Sequence, residues 1–432
     1  MIRIEDLHQL YLKNPSVSTD TRKIKPGDIF FCLKGENFDG NQFAPAAATS
    51  GASYIIIDDP EFITVPNSIL VDDALIALQD LARYHRKQFS IPLIGITGTN
   101  GKTTTKELVA AVLEKRYQLV ATQGNLNNHI GVPLSLLRID SKTDMAIIEM
   151  GASHPGEIAE LCEIAQPNAG IITNVGKAHL EGFGDEATIL DTKTALYKSV
   201  AGRKGVIWVS TRQEALKKRA AGLNTILYGD GPEASFPSML CQADPFTEIA
   251  WGENYRHRIQ THLAGSWNYE NIIAAVAIGL YFDVSPGDIN SALESYHPSN
   301  MRSQVLQTGS NTIILDAYNA NPSSMQAAIE HFRGVSAENK MLILGDMLEL
   351  GSGSDAEHLK ILELVKNSRF KQVILVGPQF NALTKDPEML TFSNTQKASE
   401  WLQKNPPEGV HILIKGSRGI GLERLLDSFP HD

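Results

Sequence analysis

The chain reads as an α/β protein of several domains built on mostly parallel sheets, and three observations lead there. From about residue 90, short β-rich apolar runs alternate with helical stretches, the rhythm of parallel sheets covered by helices on both faces. The length of 432 residues suits two to four domains at about 150 residues each. Apolar residues at 42% and charged residues at 20% make a globular composition.

The first 85 residues read as a small α/β unit of their own. Pro26-Gly27-Asp28 marks a turn, Ile29–Leu33 and Tyr54–Ile57 read as strands, and an Ala-rich helix is expected near 44–50. A second unit opens with a strand at Ile91–Ile96 and a helix near 103–116. Asp144–Glu149 then precedes a helix near 155–165, and Ala169–Asn174 and Gly205–Val209 continue the series. A polar, Pro-containing break at Tyr296–Asn300 separates this unit from a third. There Thr312–Leu315, Met341–Leu344, Gln372–Val376 and His411–Ile414 read as strands. The expected boundaries are 1–88, 89–299 and 300–432. No repeat of 20–50 residues breaks the pattern.

Lys and Arg total 39 against 49 Asp and Glu, a net charge of −10. Such a charge opposes approach to nucleic acid or an anionic membrane. No run approaches the roughly 18 apolar residues of a membrane span, and Met1–His8 carries charges where a signal peptide needs an apolar core. Cys32, Cys162 and Cys241 lie far apart without a CxxC pair, which argues against a disulfide framework or a zinc ribbon. A reduced, cytoplasmic protein without nucleic-acid or membrane partners is expected.

The segment richest in chemistry is Gly95-Ile-Thr-Gly-Thr-Asn-Gly-Lys-Thr-Thr104, between a predicted strand and a predicted helix. Glycines let successive backbone N–H groups curl around phosphate, the lysine neutralises the terminal phosphates, and the next hydroxyl suits Mg²⁺. The strict G-x-x-x-x-G-K-[ST] spacing fails here, because position 96 is Ile. A Gly-rich turn with a chance lysine is the plainer alternative, and the strand–loop–helix context favours nucleotide binding. Glu149 and His179 fall at or just beyond the ends of predicted strands, where open α/β sheets gather ligands. Either alone reads as an ordinary edge residue; sharing a sheet edge with the loop gives them weight.

On these residues the chain resembles the Mur ligase family. The shortened loop Gly98–Thr104, Glu149 in Ile-Glu-Met, Asn174-Val-Gly-Lys-Ala-His179 and Lys193 carry the resemblance, which runs over nearly the whole chain. Four further blocks resemble the dipeptide-adding branch: Thr122–Pro133, Asp316–Met325, Leu344–Gly351 and Lys415–Arg418. The resemblance implies a UDP-substrate domain, a central ATPase domain and a C-terminal Rossmann-like ligase domain. It implies an ATP-dependent amide ligase, acting as a monomer on UDP-N-acetylmuramoyl-tripeptide and D-alanyl-D-alanine through an acyl phosphate. Because two anions must meet in the first step, such catalysis rests on charge neutralisation and alignment.

Residue roles follow from the resemblance position by position. Gly98, Thr99, Asn100, Gly101, Lys102, Thr103 and Thr104 are expected to cradle ATP, with Thr103 and Glu149 on one Mg²⁺. His179 and a carbamylated Lys193 are expected on a second Mg²⁺. Asn268 and Asn271 match adenine-side asparagines, and Arg302 and Asp316 are expected to reach phosphates and ribose. Ser18, Thr19, Thr21 and Arg22 resemble the segment that grips UDP. Asn127 and Asn128, with Asn319, Asn321 and Ser324, are expected at the substrates. Plainer roles exist for many of these: helix starts for Asn268 and Asn271, an Asx turn before the helix after Pro322, and a solvated basic pair for Lys415 and Arg418. Two positions depart from the family pattern, Asn41 and Trp267 each standing where a His is usual. A different amide ligase of the same superfamily, or an idle ATP-binding scaffold, are the competing readings.

Overall fold

The computed structural model describes residues 2–178, 180–368 and 370–429, so His179 lies outside the described residues. The first unit is a four-stranded parallel sheet in the order Val17–Ser18, Ile29–Phe31, Tyr54–Ile57, Ser68–Leu70. Alternation along these strands divides the side chains between two faces. Ile29, Phe31 and Ile56 join Leu7, Leu78 and Leu81 of the helices Ile4–Lys13 and Ala74–Arg86. Phe30, Ile55 and Ile57 pack with Ala44 and Ala47 of the helix Ala44–Thr49.

This unit is not sealed off from its neighbour. Its larger core face is continuous with Val132, Leu136, Ile148 and Leu161 of the central unit. At the seam His8 Nε2 lies 3.0 Å from His85 Nδ1, and His85 Nε2 lies 2.7 Å from the Ile139 carbonyl. That carbonyl can only accept, so His85 carries its proton on Nε2 and accepts from His8. Arg86 also donates across the seam, to the carbonyls of Ala165 and Ile91.

The central sheet has six parallel strands in the order Thr225–Tyr228, Val206–Ser210, Ala169–Ile172, Leu93–Thr97, Met145–Glu149, Leu119–Ala121. The chain builds first to one side of Leu93–Thr97 and then to the other, so a crevice opens at that strand's C-terminal end. A three-stranded antiparallel sheet, Ser238–Gln242, Glu248–Trp251 and His257–Gln260, follows. The alternating pattern did not signal it. Ser238–Gln242 and His257–Gln260 are largely exposed, and the buried middle strand Glu248–Trp251 is only four residues long, too short to stand out.

The last sheet runs in the order Gln304–Thr308, Asn311–Asp316, His411–Lys415, Lys340–Gly345, Gln372–Val376, Met389–Phe392. Only its first pair is antiparallel. The expected mostly parallel α/β architecture is therefore the observed one. The added edge strands are short and partly exposed, so they lack the unbroken apolar runs of buried strands.

Candidate active site

The strand Leu93–Thr97 delivers the chain into the loop, and the helix Lys102–Leu113 takes it up. Two glycines make that path possible. Gly98 has φ +149°, and a Cβ there would stand 1.9 Å from Thr173 Oγ1. Gly101 has φ +78°, and a Cβ there would stand 2.5 Å from Asn271 Oδ1. No side chain fits either place. The neighbouring strand end braces the loop: Thr99 donates its N–H to the Asn174 carbonyl and Asn100 donates its N–H to Asn174 Oδ1, both at 2.9 Å. Thr173 Oγ1 and Asn174 Nδ2 in turn donate to the Asn100 carbonyl at 2.6 and 3.0 Å. The helix start behind this rigid turn adds positive potential, a ready anion seat.

Two lysines converge on the loop. Lys102 Nζ donates to the carbonyls of Gly98 and Thr99 at 2.6 and 3.1 Å, and Lys193 Nζ reaches the Gly98 carbonyl at 3.1 Å. Burial pushes Lys102 down to about 8, with Arg302 pushing the same way and Glu149 opposing. Burial first, then the charge of Lys102, holds Lys193 well below the ordinary lysine range. Lys193 is 2% exposed. The helix Glu186–Gly202 carries it inward, so it is a buried lysine and not a solvated surface charge.

Thr103 Oγ1 donates to Glu149 Oε1 at 3.2 Å, and Asn127 Nδ2 donates to the same oxygen at 2.8 Å. The other oxygen, Glu149 Oε2, is buried without a hydrogen-bond partner. A buried carboxylate oxygen left in that state is costly, and a divalent cation resting on oxygen ligands satisfies it. The donor set therefore fits Mg²⁺. Among the described residues no cluster of three or more His, Cys, Asp or Glu is present.

The remaining expected residues within the described chain fall into two groups, one lining a cleft and one apart from it. The cleft next to the loop is lined by residues of both the central and the last sheet, among them Asn127, Asn128, Asn268, Asn271, Arg302, Asp316, Asn319, Asn321, Ser324 and Lys415. Asn271 Nδ2 donates to Asn268 Oδ1 at 2.9 Å, and Thr105 Oγ1 donates to Asn271 Oδ1 at 3.1 Å. Asn268 opens the helix Asn268–Tyr281 and donates from Nδ2 to the Ala264 carbonyl at 2.7 Å, while Asn271, one turn on, lies against the turn at Gly101. Asn128 Oδ1 accepts the N–H groups of Ile130 and Gly131 and starts the helix Gly131–Leu136. Asn321 and Ser324 form a reciprocal capping box on the helix Pro322–Gly334.

Asp316 and Lys415 are partners. Lys415 Nζ donates to Asp316 Oδ2 at 2.5 Å, and the lysine is 2% exposed. The solvated-pair expectation for Lys415 therefore gives way: its strand, His411–Lys415, ends between two neighbours and turns the side chain under Asp316. Arg418 is exposed, as expected of it. Arg302 lies 3.8 Å over the Tyr318 ring, and Arg418 approaches the same ring at 5.3 Å. Arg302 Nε is buried without a partner. Trp267, which the sequence marks as a departure beside the adenine-side Asn268, lines the cleft, and so does Tyr318, which was not among the expected contact residues; a lone aromatic after a strand carries no distinguishing sequence signal.

Ser18, Thr19, Thr21 and Arg22 stand apart from this cleft. Arg22 is held by Asp20, its Nε and one terminal nitrogen each 2.9 Å from the carboxylate oxygens. The departure at Asn41 has a local explanation. The residue is fully buried, its Nδ2 donates to Asp39 and Asp58, and its Oδ1 accepts the Asp58 N–H. It ties two loops together. Trp267 donates from Nε1 to Ser303 Oγ at 3.0 Å and meets His331 edge-on. In the block Leu344–Gly351, Asp346 is structural. It accepts the N–H groups of Gln379 and Phe380 at the start of the helix Pro378–Leu383.

A glycine-turned phosphate loop at the reversal of a parallel sheet, roofed by a second α/β sheet, defines a nucleotide-using enzyme. Comparison with known proteins narrows the class. The Mur ligase family catalytic domain model matches residues 15–112, the Mur ligase middle domain model 96–279, and the Mur ligase glutamate ligase domain model 301–418. The UDP-N-acetylmuramoyl-tripeptide–D-alanyl-D-alanine ligase of Bacillus subtilis is 34% identical, over 95% of this chain and 92% of that protein. The same-named ligase of Escherichia coli is 31% identical over 95% and 92%. A crystal structure of MurF from Acinetobacter baumannii superposes with a TM-score of 0.86 at 29% identity, covering 97% of both chains. The MurF ligase of Thermotoga maritima, in complex with ADP, gives 0.84 at 28% identity, again covering 97% of both. The chain belongs to the Mur ligase family and is an ATP-dependent ligase.

Proposed function

We propose that the chain joins D-alanyl-D-alanine to UDP-N-acetylmuramoyl-tripeptide, a step of peptidoglycan precursor synthesis. The relatives in Bacillus subtilis and Escherichia coli carry that reaction in their names over nearly their full length. The observation that carries the mechanism is the pairing of Thr103 with Glu149 beside Lys102, at the mouth of the braced loop.

A carboxylate is a poor acyl donor because its leaving group would be oxide. In this reading an oxygen of the tripeptide carboxylate attacks the γ-phosphorus of ATP, the bond to the bridging oxygen breaks, and ADP leaves. The amine of D-alanyl-D-alanine then attacks the acyl carbon and inorganic phosphate departs, with one proton released from the nitrogen. The backbone N–H groups of Gly101–Thr104 bind phosphate, those of Thr99 and Asn100 being taken by Asn174, and Lys102 neutralises charge as it builds on the transferring group. Thr103 and Glu149 would hold one Mg²⁺, which draws charge from the phosphate oxygens when bound. Asn127 fixes the Glu149 carboxylate. Asn268, Asn271 and Trp267 wall the adenine end. Arg302 and Asp316 come from the far side of the cleft.

Lys193 is read as a carbamate. Its burial favours the neutral amine, which attacks CO₂, forms an N–C bond and loses a proton, leaving an anion. With His179 that anion would hold a second Mg²⁺. The segments 1–88, 89–299 and 300–432 take the UDP end, ATP and the incoming dipeptide respectively, with Ser18, Thr19, Thr21 and Arg22 at the UDP end and Asn319, Asn321 and Ser324 on the dipeptide side. One chain supplies both walls of the cleft, so a monomer suffices. Among the described residues no helix is long and apolar enough to cross a membrane, and the enzyme is read as cytoplasmic. Phosphate release from ATP, measured with UDP-N-acetylmuramoyl-tripeptide and a panel of D- and L-dipeptides, tests the reading. Turnover should require both acceptor and D-alanyl-D-alanine. Turnover with a single amino acid and not with the dipeptide would assign another ligase class.

A further inference from the structure

The phosphate loop touches the C-terminal domain through a closed ring of side-chain hydrogen bonds. Asn100 Nδ2 donates to Ser323 Oγ at 3.0 Å, Ser323 Oγ donates to Asn321 Oδ1 at 2.9 Å, and Asn321 Nδ2 donates back to Asn100 Oδ1 at 2.8 Å. Every donor in the ring faces an acceptor, an arrangement in which the bonds reinforce one another. Asn100 has little freedom to do otherwise. Its N–H and carbonyl are both taken by Thr173 and Asn174, so its peptide is fixed and its side chain points at the head of the helix Pro322–Gly334. Asn321 is equally fixed, because the same Oδ1 caps that helix through the Ser324 N–H at 2.9 Å.

The same nucleotide-binding element also holds the linker between the two domains. Glu107, on the helix that starts at Lys102, accepts from Tyr296 Oη and from Asn300 Nδ2, the latter at 2.8 Å. Just beyond, Met301 and Ser303 have φ of +57° and +50°, conformations that residues with a side chain rarely adopt. The linker is anchored midway along the helix Lys102–Leu113, and the domain it carries is clasped at the loop that precedes that helix.

We propose that Asn100 is a positioning residue: the ring it forms with Asn321 and Ser323 seats the C-terminal domain over the phosphate loop for reaction, while the rest of the loop binds ATP. This rests on the ligase reading for its turnover assay only. The two decisive readouts, affinity for a non-hydrolysable ATP analogue and small-angle scattering of the full chain with that analogue, need no knowledge of the acceptor.

The variants are Asn100→Ala, Ser323→Ala, their double, and Asn321→Asp. The last keeps a good helix cap but sets an acceptor against Asn100 Oδ1. Analogue affinity should stay within about twofold, since the loop backbone and Lys102 are untouched, while turnover falls about 10- to 100-fold because the far wall of the cleft is misplaced. Scattering with the analogue should show a larger radius of gyration than wild type, and the double variant should be no worse than Asn100→Ala, as expected of residues in one contact. Thermal midpoints should match wild type. The proposal is overturned if Asn100→Ala and Asn321→Asp keep wild-type scattering and turnover. It is equally overturned if analogue affinity falls as far as turnover, which would make Asn100 a phosphate ligand. Variants that show the larger radius of gyration, in a chain whose wild type does not turn over D-alanyl-D-alanine, would overturn the substrate reading and leave the ring standing.

Discussion

Lys102 and Lys193 share one acceptor. Their ammonium nitrogens lie 2.6 and 3.1 Å from the Gly98 carbonyl oxygen, although the two lysines are 91 residues apart in sequence. Two buried cations on one carbonyl disfavour each other, and the one further from phosphate chemistry is the one that can afford to be neutral. This relationship underlies the first two predictions.

Lys193→Ala should lose most activity while still binding the ATP analogue through the loop. Short carboxylic acids, placed in the space of the carbamate, should restore part of it. Turnover with and without acetate or propionate measures this, and intact mass under CO₂ should show the added 44 Da on wild type and not on the variant. Full activity of Lys193→Ala would end the carbamate assignment.

Lys102 titrates at about 8 instead of 10.5. Between those values the unfolded chain binds more protons than the folded one at this residue, so its contribution to stability rises with pH across that window. Phosphate beside the ammonium opposes the shift, so binding the ATP analogue at pH 8–9 should take up protons. Calorimetry in buffers of different ionisation enthalpy reads that uptake directly, and Lys102→Met should abolish it.

Lys102→Ala should cut turnover by at least about 10²- to 10³-fold, the usual effect of deleting a group that faces developing charge in the transition state. The check is single-turnover phosphate transfer in protein whose circular dichroism matches wild type. Near-normal turnover would dismiss the loop as the catalytic phosphate site.

Glu149→Gln replaces a buried carboxylate, one oxygen of which has no partner, with a neutral amide. Removing an unmatched buried charge should leave the thermal midpoint equal or higher in chelator, while the Mg²⁺ concentration for half-maximal turnover rises at least tenfold. Titration of Mg²⁺ against turnover, alongside thermal unfolding in chelator, separates the two effects.

Much of this was readable from the chain alone. Buried parallel strands announce themselves as unbroken apolar runs, so Leu93–Thr97, Met145–Glu149 and Gln372–Val376 were expected within two residues of where they lie. The glycines of the phosphate loop, the following lysine and the family blocks are local in sequence, and their chemistry is set by spacing. The edge strands and the antiparallel sheet at 238–260 were not legible, because strands of three to five residues are too short for their pattern to stand out from a loop.

What only the tertiary structure decided is which partner each polar side chain meets. The sequence by itself determined a parallel α/β chain with a nucleotide loop and a family membership. It could not distinguish a solvated Lys193 or Lys415 from a buried one, because burial depends on elements that pack from elsewhere in the chain. Nor could it show that Asn100 clasps Asn321 and Ser323 across some 220 residues of sequence. Spacing encodes contacts along one helix or strand, whereas a contact between domains is fixed by how two separately folded sheets close on each other.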